Sequence, residues 1–244
     1  MKINILGINI DDENAGTVLK RIEDDVLKDK KIFIATPNPE MIILAQKDAN
    51  FKNILNSTDI NIPDGFGLKI GAKILGKKLN SRVTGTDLMV DICRLANKKR
   101  YSIYLLGGGK NVARMAVVNL KKEMPRLKIT GAEEGGKMDE WDNRVIIKHI
   151  NVLKPDILFV ALGHGKQEKW IHDNFKELAS VKLAIGVGGA FDFISGKVKR
   201  APKWMRTVGL EWLWRLVLEP KRLKRIINAT LVFPWLCFKN KNRN

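Results

Sequence analysis

A chain of 244 residues with 45% hydrophobic content can bury a large core, as one α/β domain or one domain plus an appendage. Its net charge of +18 excludes a neutral surface and points to an anionic partner, with nucleic acid and a membrane surface as the main classes. No apolar run approaches the roughly 20 residues of a spanning helix, no basic-then-apolar leader opens the chain, and Cys93 and Cys237 match no disulfide or zinc spacing, so a reducing, cytoplasmic setting is expected.

Strand-like and helix-like patterns alternate along the chain. Strands are expected at Lys2–Ile8, Lys31–Ala35, Ile60–Ile62, Ser102–Leu106, Leu127–Thr130, Ile157–Ala161 and Leu183–Val187. Helical periodicity covers Ala15–Leu27, Glu40–Leu55, Asp87–Lys99, Val112–Met124, Asp142–Leu153 and Gln167–Leu178, and a further helical pattern follows Leu68. This alternation predicts an α/β fold, a largely parallel Rossmann-like sheet flanked by helices. Several strands are apolar almost throughout, as strands covered on both faces should be.

In such sheets ligands bind outside the carboxyl ends of the strands, so the loops there carry the functional reading. Thr36-Pro37-Asn38-Pro39-Glu40 offers two hydrogen-bonding side chains, usable as a helix cap or on a ligand. Pro63-Asp64-Gly65 is a turn whose carboxylate is a candidate general base, although Asp also suits such a turn structurally. Arg82-Val83-Thr84-Gly85-Thr86-Asp87 contains cap candidates, and Arg82 is a candidate anion clamp. Gly107-Gly108-Gly109-Lys110 opens a helix as phosphate loops do, but it lacks the Walker closure and has Val112 where a dinucleotide fingerprint has its third glycine.

Gly163-His164-Gly165 leads into Lys166-Gln167-Glu168, where Lys166 and Gln167 could meet phosphate or sugar oxygens; His164 is expected to be a solvated loop histidine. In Gly186-Val187-Gly188-Gly189, followed by Asp192, the glycines suit a backbone-lined pocket and Asp192 could accept sugar hydroxyls. No Asp-x-Asp and no His spacing supplies a metal cradle, so no metal or cofactor is expected.

The composition shifts near Gly196, dividing the chain into an α/β catalytic domain (1–196) and a helical appendage (197–244). The appendage carries +11 of the +18 and four of the six tryptophans, Trp204, Trp212, Trp214 and Trp235. A helical pattern runs from Trp204 to Glu219, Pro220 interrupts it, and Arg222 and Arg225 then share a face. Ile226–Phe238 is an apolar stretch that suits a membrane interface, an oligomer contact or docking on the core.

These loops, in this order, resemble the TagA/WecG/CpsF family of glycosyltransferases, and Arg200-Ala201-Pro202 and Glu211-Trp212-Leu213-Trp214-Arg215 through Glu219-Pro220 extend the resemblance past residue 220. One departure is His164-Gly165 before Lys166, where the family usually has a proline next to the lysine. Within the family the TagA branch is the most similar. The resemblance implies an inverting, metal-independent transferase at the inner face of the cell membrane, peripheral to it. It would move N-acetylmannosamine from UDP-N-acetylmannosamine to lipid-diphosphate-linked N-acetylglucosamine, the undecaprenyl-diphosphate acceptor that commits material to teichoic acid linkage units. Other branches use N-acetylmannosaminuronate or glucose.

On that reading Asp64 is the base, with Thr36 and Asn38 positioning sugar groups beside it. The candidate substrate-binding set is Arg82, Thr84, Asp87, Gly107, Gly108, Gly109, Lys166, Gln167, Glu168, Gly188, Asp192, Arg215, Arg222 and Arg225. The appendage would grip the lipid's diphosphate and rest on an anionic membrane surface. A nucleic-acid binder would account for the basic tail but not for Asp64 and the glycine-rich loops at one edge, and a nicotinamide-dependent dehydrogenase would need a fuller fingerprint.

Overall fold

The computed structural model describes residues 1–135 and 142–241; the last three residues of the expected appendage lie outside them. The N-terminal alternation forms a hairpin, β1 (Lys2–Ile5) and β2 (Ile8–Asp11), where a single strand was expected. Leu6 and Gly7 both have positive φ, the backbone a tight two-residue hairpin turn requires. Alternation with period two reads the same on either side of such a turn.

Six parallel strands make the main sheet: β3 (Ile32–Ala35), β4 (Ile60–Asn61), β5 (Ser102–Gly107), β6 (Lys128–Glu133), β7 (Ile157–Ala161) and β8 (Leu183–Gly186). Their spatial order is β4-β3-β8-β7-β5-β6. The sheet is thus all parallel, and the hairpin stands apart from it. The central strands β3, β5, β7 and β8 are buried along their whole length, because helices cover both faces.

One face packs α1 (Ala15–Leu27), α5 (Gly85–Lys99), α6 (Val112–Glu123) and α9 (Ala190–Ile194). The other packs α3 (Ala49–Ser57), α7 (Asn143–Leu153) and α8 (Lys166–Asn174). The expected helix Glu40–Leu55 is two helices, α2 (Pro39–Lys47) and α3, because Asp48 leaves helical geometry and accepts a hydrogen bond from the Phe51 amide as the cap of the second.

A third apolar cluster joins the hairpin, α2, α4 (Phe66–Ile74) and the chain's end. There α10 (Lys203–Thr207) and α11 (Glu211–Leu218) replace the one helix expected over Trp204–Glu219, parted at Gly209 with φ of 82°. A 3-10 turn at Pro220–Arg222 leads into α12 (Leu223–Ile227), a π-helical turn at Asn228–Val232, and α13 (Phe233–Lys241). Pro234 accounts for the π turn: it has no N–H for the Thr230 carbonyl, and its ring would clash there in a regular helix.

The apolar stretch Ile226–Phe238 is two-faced. Phe233 and Cys237 are fully buried, whereas Leu231, Trp235 and Phe238 are more than half exposed. Docking depends on Gly71 of α4, where an added Cβ would lie 2.5 Å from the Phe233 ring and 3.1 Å from the Cys237 sulfur. Burial pushes the Cys237 thiol up to about 11. Gly71→Leu is therefore expected to overpack this seam at a cost of roughly 1–3 kcal/mol. A thiol reagent should modify Cys237 slowly in the native protein and markedly faster in the variant, with fully enclosed Cys93 protected in both.

Candidate active site

The loops after β3, β4, β5, β7 and β8 converge at the carboxyl edge of the sheet, where neighbouring strands send their connections in opposite directions. Three adjoining cavities of about 320, 220 and 310 Å³ lie between this edge and α11–α12. Asp64 and Arg215 face all three.

Asp64 is held by its backbone. Its amide donates to the Pro37 carbonyl at 2.8 Å, and the Val83 amide donates to the Pro63 carbonyl at 3.2 Å, which ties its loop to two neighbours. Gly65, with φ of 89°, turns the chain away into α4. Burial pushes the Asp64 carboxyl up to about 7, and the Glu211 carboxylate adds to the push. The Gly85 amide and Arg82 pull against it without cancelling it. A carboxylate poised near neutrality in a cleft is suited to accept a proton from a hydroxyl.

Around it, Thr36 is buried and donates its hydroxyl to the Gly186 carbonyl at 3.2 Å. Asn38 accepts from the Met41 amide at 3.0 Å as the cap of α2 while still lining two of the cavities. Both roles foreseen for these residues, structural and cavity-facing, thus coexist at Asn38. Arg82 and Thr84 line the second cavity, but Arg82 spends one N–H on the Arg206 carbonyl at 2.7 Å.

The third cavity is the polar one, lined among others by Gly108, Gly109, Gln167, Gly188 and Asp192. Gln167 is a strut as much as a wall. Its Oε1 accepts from the Gly188 amide at 3.0 Å and its Nε2 donates to Glu168 at 2.7 Å. Arginines close the cavity: Arg215 donates to Asp192 at 3.3 Å and to Glu219 at 2.7 Å, and Arg222 donates to Glu219 at 2.8 Å. Burial and the neighbouring Arg215 and Arg225 charges lower the pKa of Arg222. Crowded cations of this kind favour an anionic occupant.

Four of the expected substrate contacts sit elsewhere. Glu168 is enclosed and lines none of the three cavities, because it is the capping partner of α8: its Oε2 accepts from the Gly165 amide at 2.7 Å. Lys166 is exposed at the start of α8 and lines none of the three cavities. Asp87 binds Arg200 at 2.5 Å and Thr84 at 2.6 Å, and so anchors the start of the appendage. Gly107 is a packing requirement, since an added Cβ would lie 2.5 Å from the Ala161 carbonyl oxygen.

The neighbouring helix start is partly taken as well, because the Asn111 amide donates to Glu134 at 2.8 Å. His164 is not a solvated residue. Its Nε2 lies 2.6 Å from both Glu40 and Arg225, within a cluster where Arg225 also pairs with Glu40 at 2.9 Å. Glu40, Glu211 and Glu219 were missed as site residues. Glu40 and Glu211 act on residues far along the chain, Arg225 and Asp64, which spacing cannot reveal, whereas Glu219 pairs with Arg215 and Arg222 at helical i, i+4 and i, i+3 spacing that the sequence did offer.

Glu168→Leu is expected to orphan the Gly165 amide and one Gln167 N–H, costing roughly 1–3 kcal/mol. It should lower the melting temperature while leaving α8 helical, which calorimetry and circular dichroism together would check.

Residues 3–244 match the model of the glycosyl transferase WecG/TagA/CpsF family. The chain belongs to that family. It is 40% identical over 202 residues to the N-acetylglucosaminyldiphosphoundecaprenol N-acetyl-beta-D-mannosaminyltransferase of Bacillus subtilis (strain 168), covering 82% of this chain and 77% of that one. The protein of the same name from Bacillus spizizenii is 35% identical over 201 residues, with the same shares of the two chains. One from Staphylococcus aureus (strain MRSA252) is 29% identical over 227 residues, 92% of this chain and 88% of that one. The chain is therefore a glycosyltransferase. No helix among the described residues is long and apolar enough to cross a membrane, and no group of three or more His, Cys, Asp or Glu among them could hold a metal ion.

Proposed function

We propose that the protein transfers N-acetylmannosamine from UDP-N-acetylmannosamine to N-acetylglucosamine carried on an undecaprenyl diphosphate, with inversion at the sugar carbon and without a metal ion. The observation that carries this reading is the position of Asp64 at the meeting point of the three cavities, with a carboxyl poised near 7. The polar third cavity takes the UDP-sugar. The acceptor enters from the opposite side, and Asp64 removes the proton of the attacking hydroxyl as the bond to UDP breaks. Charge that develops on the leaving diphosphate is met by Arg215, Arg222 and the glycine-loop amides. The names of the relatives support the donor and acceptor sugars.

The enzyme works peripherally on the inner face of the membrane, with the domain boundary near Gly196 and the exposed Trp204, Trp235 and Phe238 facing lipid. UDP release from UDP-N-acetylmannosamine tests the reaction. It should depend on a lipid-diphosphate N-acetylglucosamine acceptor. Release with N-acetylmannosaminuronate or glucose donors instead would keep the mechanism and change the sugar, and silence with every donor would overturn the reading.

A further inference from the structure

The 320 Å³ cavity is chemically divided. Asp64 and the guanidinium groups of Arg215, Arg222 and Arg225 line the part it shares with the third cavity. Away from them its walls are Phe66 and Ile70 on α4 and Ile226, Ala229 and Pro234 on the tail. Phe66 and Ile70 are both 42% exposed, so they do not serve the core. The groove lies where the tail docks on α4: Gly71 carries no side chain where the Phe233 ring seats, 2.5 Å from the site of an added Cβ, and Gly67, one turn earlier, makes way for Pro39 of α2 at 2.6 Å. The π-helical turn of Asn228–Val232 then places Ala229 and Thr230 on the groove wall.

A cationic end and an apolar end in one continuous cavity match a molecule that is itself a diphosphate joined to a hydrocarbon. We propose that the apolar part of this groove holds the first isoprene units of the acceptor's polyprenyl chain. The acceptor's diphosphate then lies beside Arg225, leaving Arg215 and Arg222 to the departing UDP, and the sugar hydroxyl reaches Asp64. This inference rests on the acceptor class proposed above. It adds a site for the lipid itself, so the enzyme reads the hydrocarbon next to the phosphate and does not merely tolerate it. Leu231, Trp235 and Phe238 continue the apolar surface outward beyond the groove, giving the rest of the chain a route to the bilayer.

The test uses the full chain and two soluble probes, farnesyl diphosphate and inorganic pyrophosphate, titrated calorimetrically. Each buried methylene-sized group is worth roughly fourfold in affinity, so farnesyl diphosphate should bind at least about tenfold more tightly. Ala229→Phe, which fills the groove, and Ile70→Ser, a milder change at an exposed position, should erase most of that gap while UDP binding stays unchanged and reports an intact fold. Equal binding of the two probes, or a gap that survives both substitutions, overturns the groove. Turnover separates the two readings. A protein that prefers farnesyl diphosphate yet transfers no sugar keeps the groove and loses the proposed reaction. Equal kcat/KM on polyprenyl- and methyl-diphosphate acceptors keeps the reaction and loses the groove.

Discussion

Asp64→Asn is expected to lower acceptor-dependent UDP release by roughly 10²–10⁴-fold, the range that a positioned general base supplies. Asparagine keeps the shape and the turn. The loop is held by backbone bonds from Asp64 to Pro37 and from Val83 to Pro63, none of which needs the carboxylate. UDP binding and the folded state should therefore survive, and the loss should fall on turnover. A variant that turns over normally would remove Asp64 from the chemistry.

The same substitution has a second, opposite consequence. The Asp64 carboxyl sits at about 7 in the folded protein, well above the usual carboxylate range, because burial and Glu211 disfavour its charge. A folded-state pKa raised in this way adds stability below the unfolded pKa that is lost as pH rises through the folded one. At about pH 8 the native state thus carries a poorly solvated charge that lowers its stability, and near pH 4 it carries almost none. Asp64→Asn should raise the melting temperature at the higher pH and leave it nearly unchanged at the lower. In the native enzyme kcat/KM should climb as pH rises toward about 7 and then level off, since only the ionised carboxylate accepts a proton. Activity and stability would trade against each other at one atom, which is how strained catalytic groups behave.

Much of this arrangement could be read from the residues in order. Alternating apolar runs predicted the parallel sheet, and Pro-Asp-Gly placed Asp64 on a strand-end loop. What escaped were features set by three-dimensional proximity. The hairpin at Leu6-Gly7 escaped because period-two alternation does not register a turn without Asn-Gly or Asp-Gly. The break at Asp48 escaped because a capping aspartate inside an apolar-periodic stretch looks like a solvent-facing residue. Glu168 was expected on substrate but is spent on the Gly165 amide, since a short loop with positive φ at Gly163 and Gly165 leaves that N–H pointing at the first turn of α8. Gly71 was present in the sequence, but only the docked Phe233 and Cys237 give it its meaning.

On the proposed mechanism the appendage enters the reaction through Arg215, and Arg215→Lys is expected to reduce turnover nearly as far as Arg215→Ala. Its guanidinium donates to Asp192 and Glu219, lies 4.7 Å above the Phe193 ring, and packs against Gly189, where an added Cβ would be 2.6 Å away. Those contacts fix a planar fork, and a lysine ammonium cannot satisfy Asp192, Glu219 and a diphosphate at once. Removing a preorganised donor to developing charge costs roughly 10²–10³ in kcat, and the loss should appear in kcat more than in KM if the contact tightens as the diphosphate leaves. A rise in KM alone would make Arg215 a ground-state anchor instead. Single arginine substitutions test this more cleanly than trimming the chain near Gly196. Trimming also removes Phe233 and Cys237 and bares the seam on α4, so it confounds lost chemistry with lost packing. With Arg215 replaced and the tail still docked, slow labelling of Cys237 would certify the fold, and any fall in turnover would belong to the guanidinium itself.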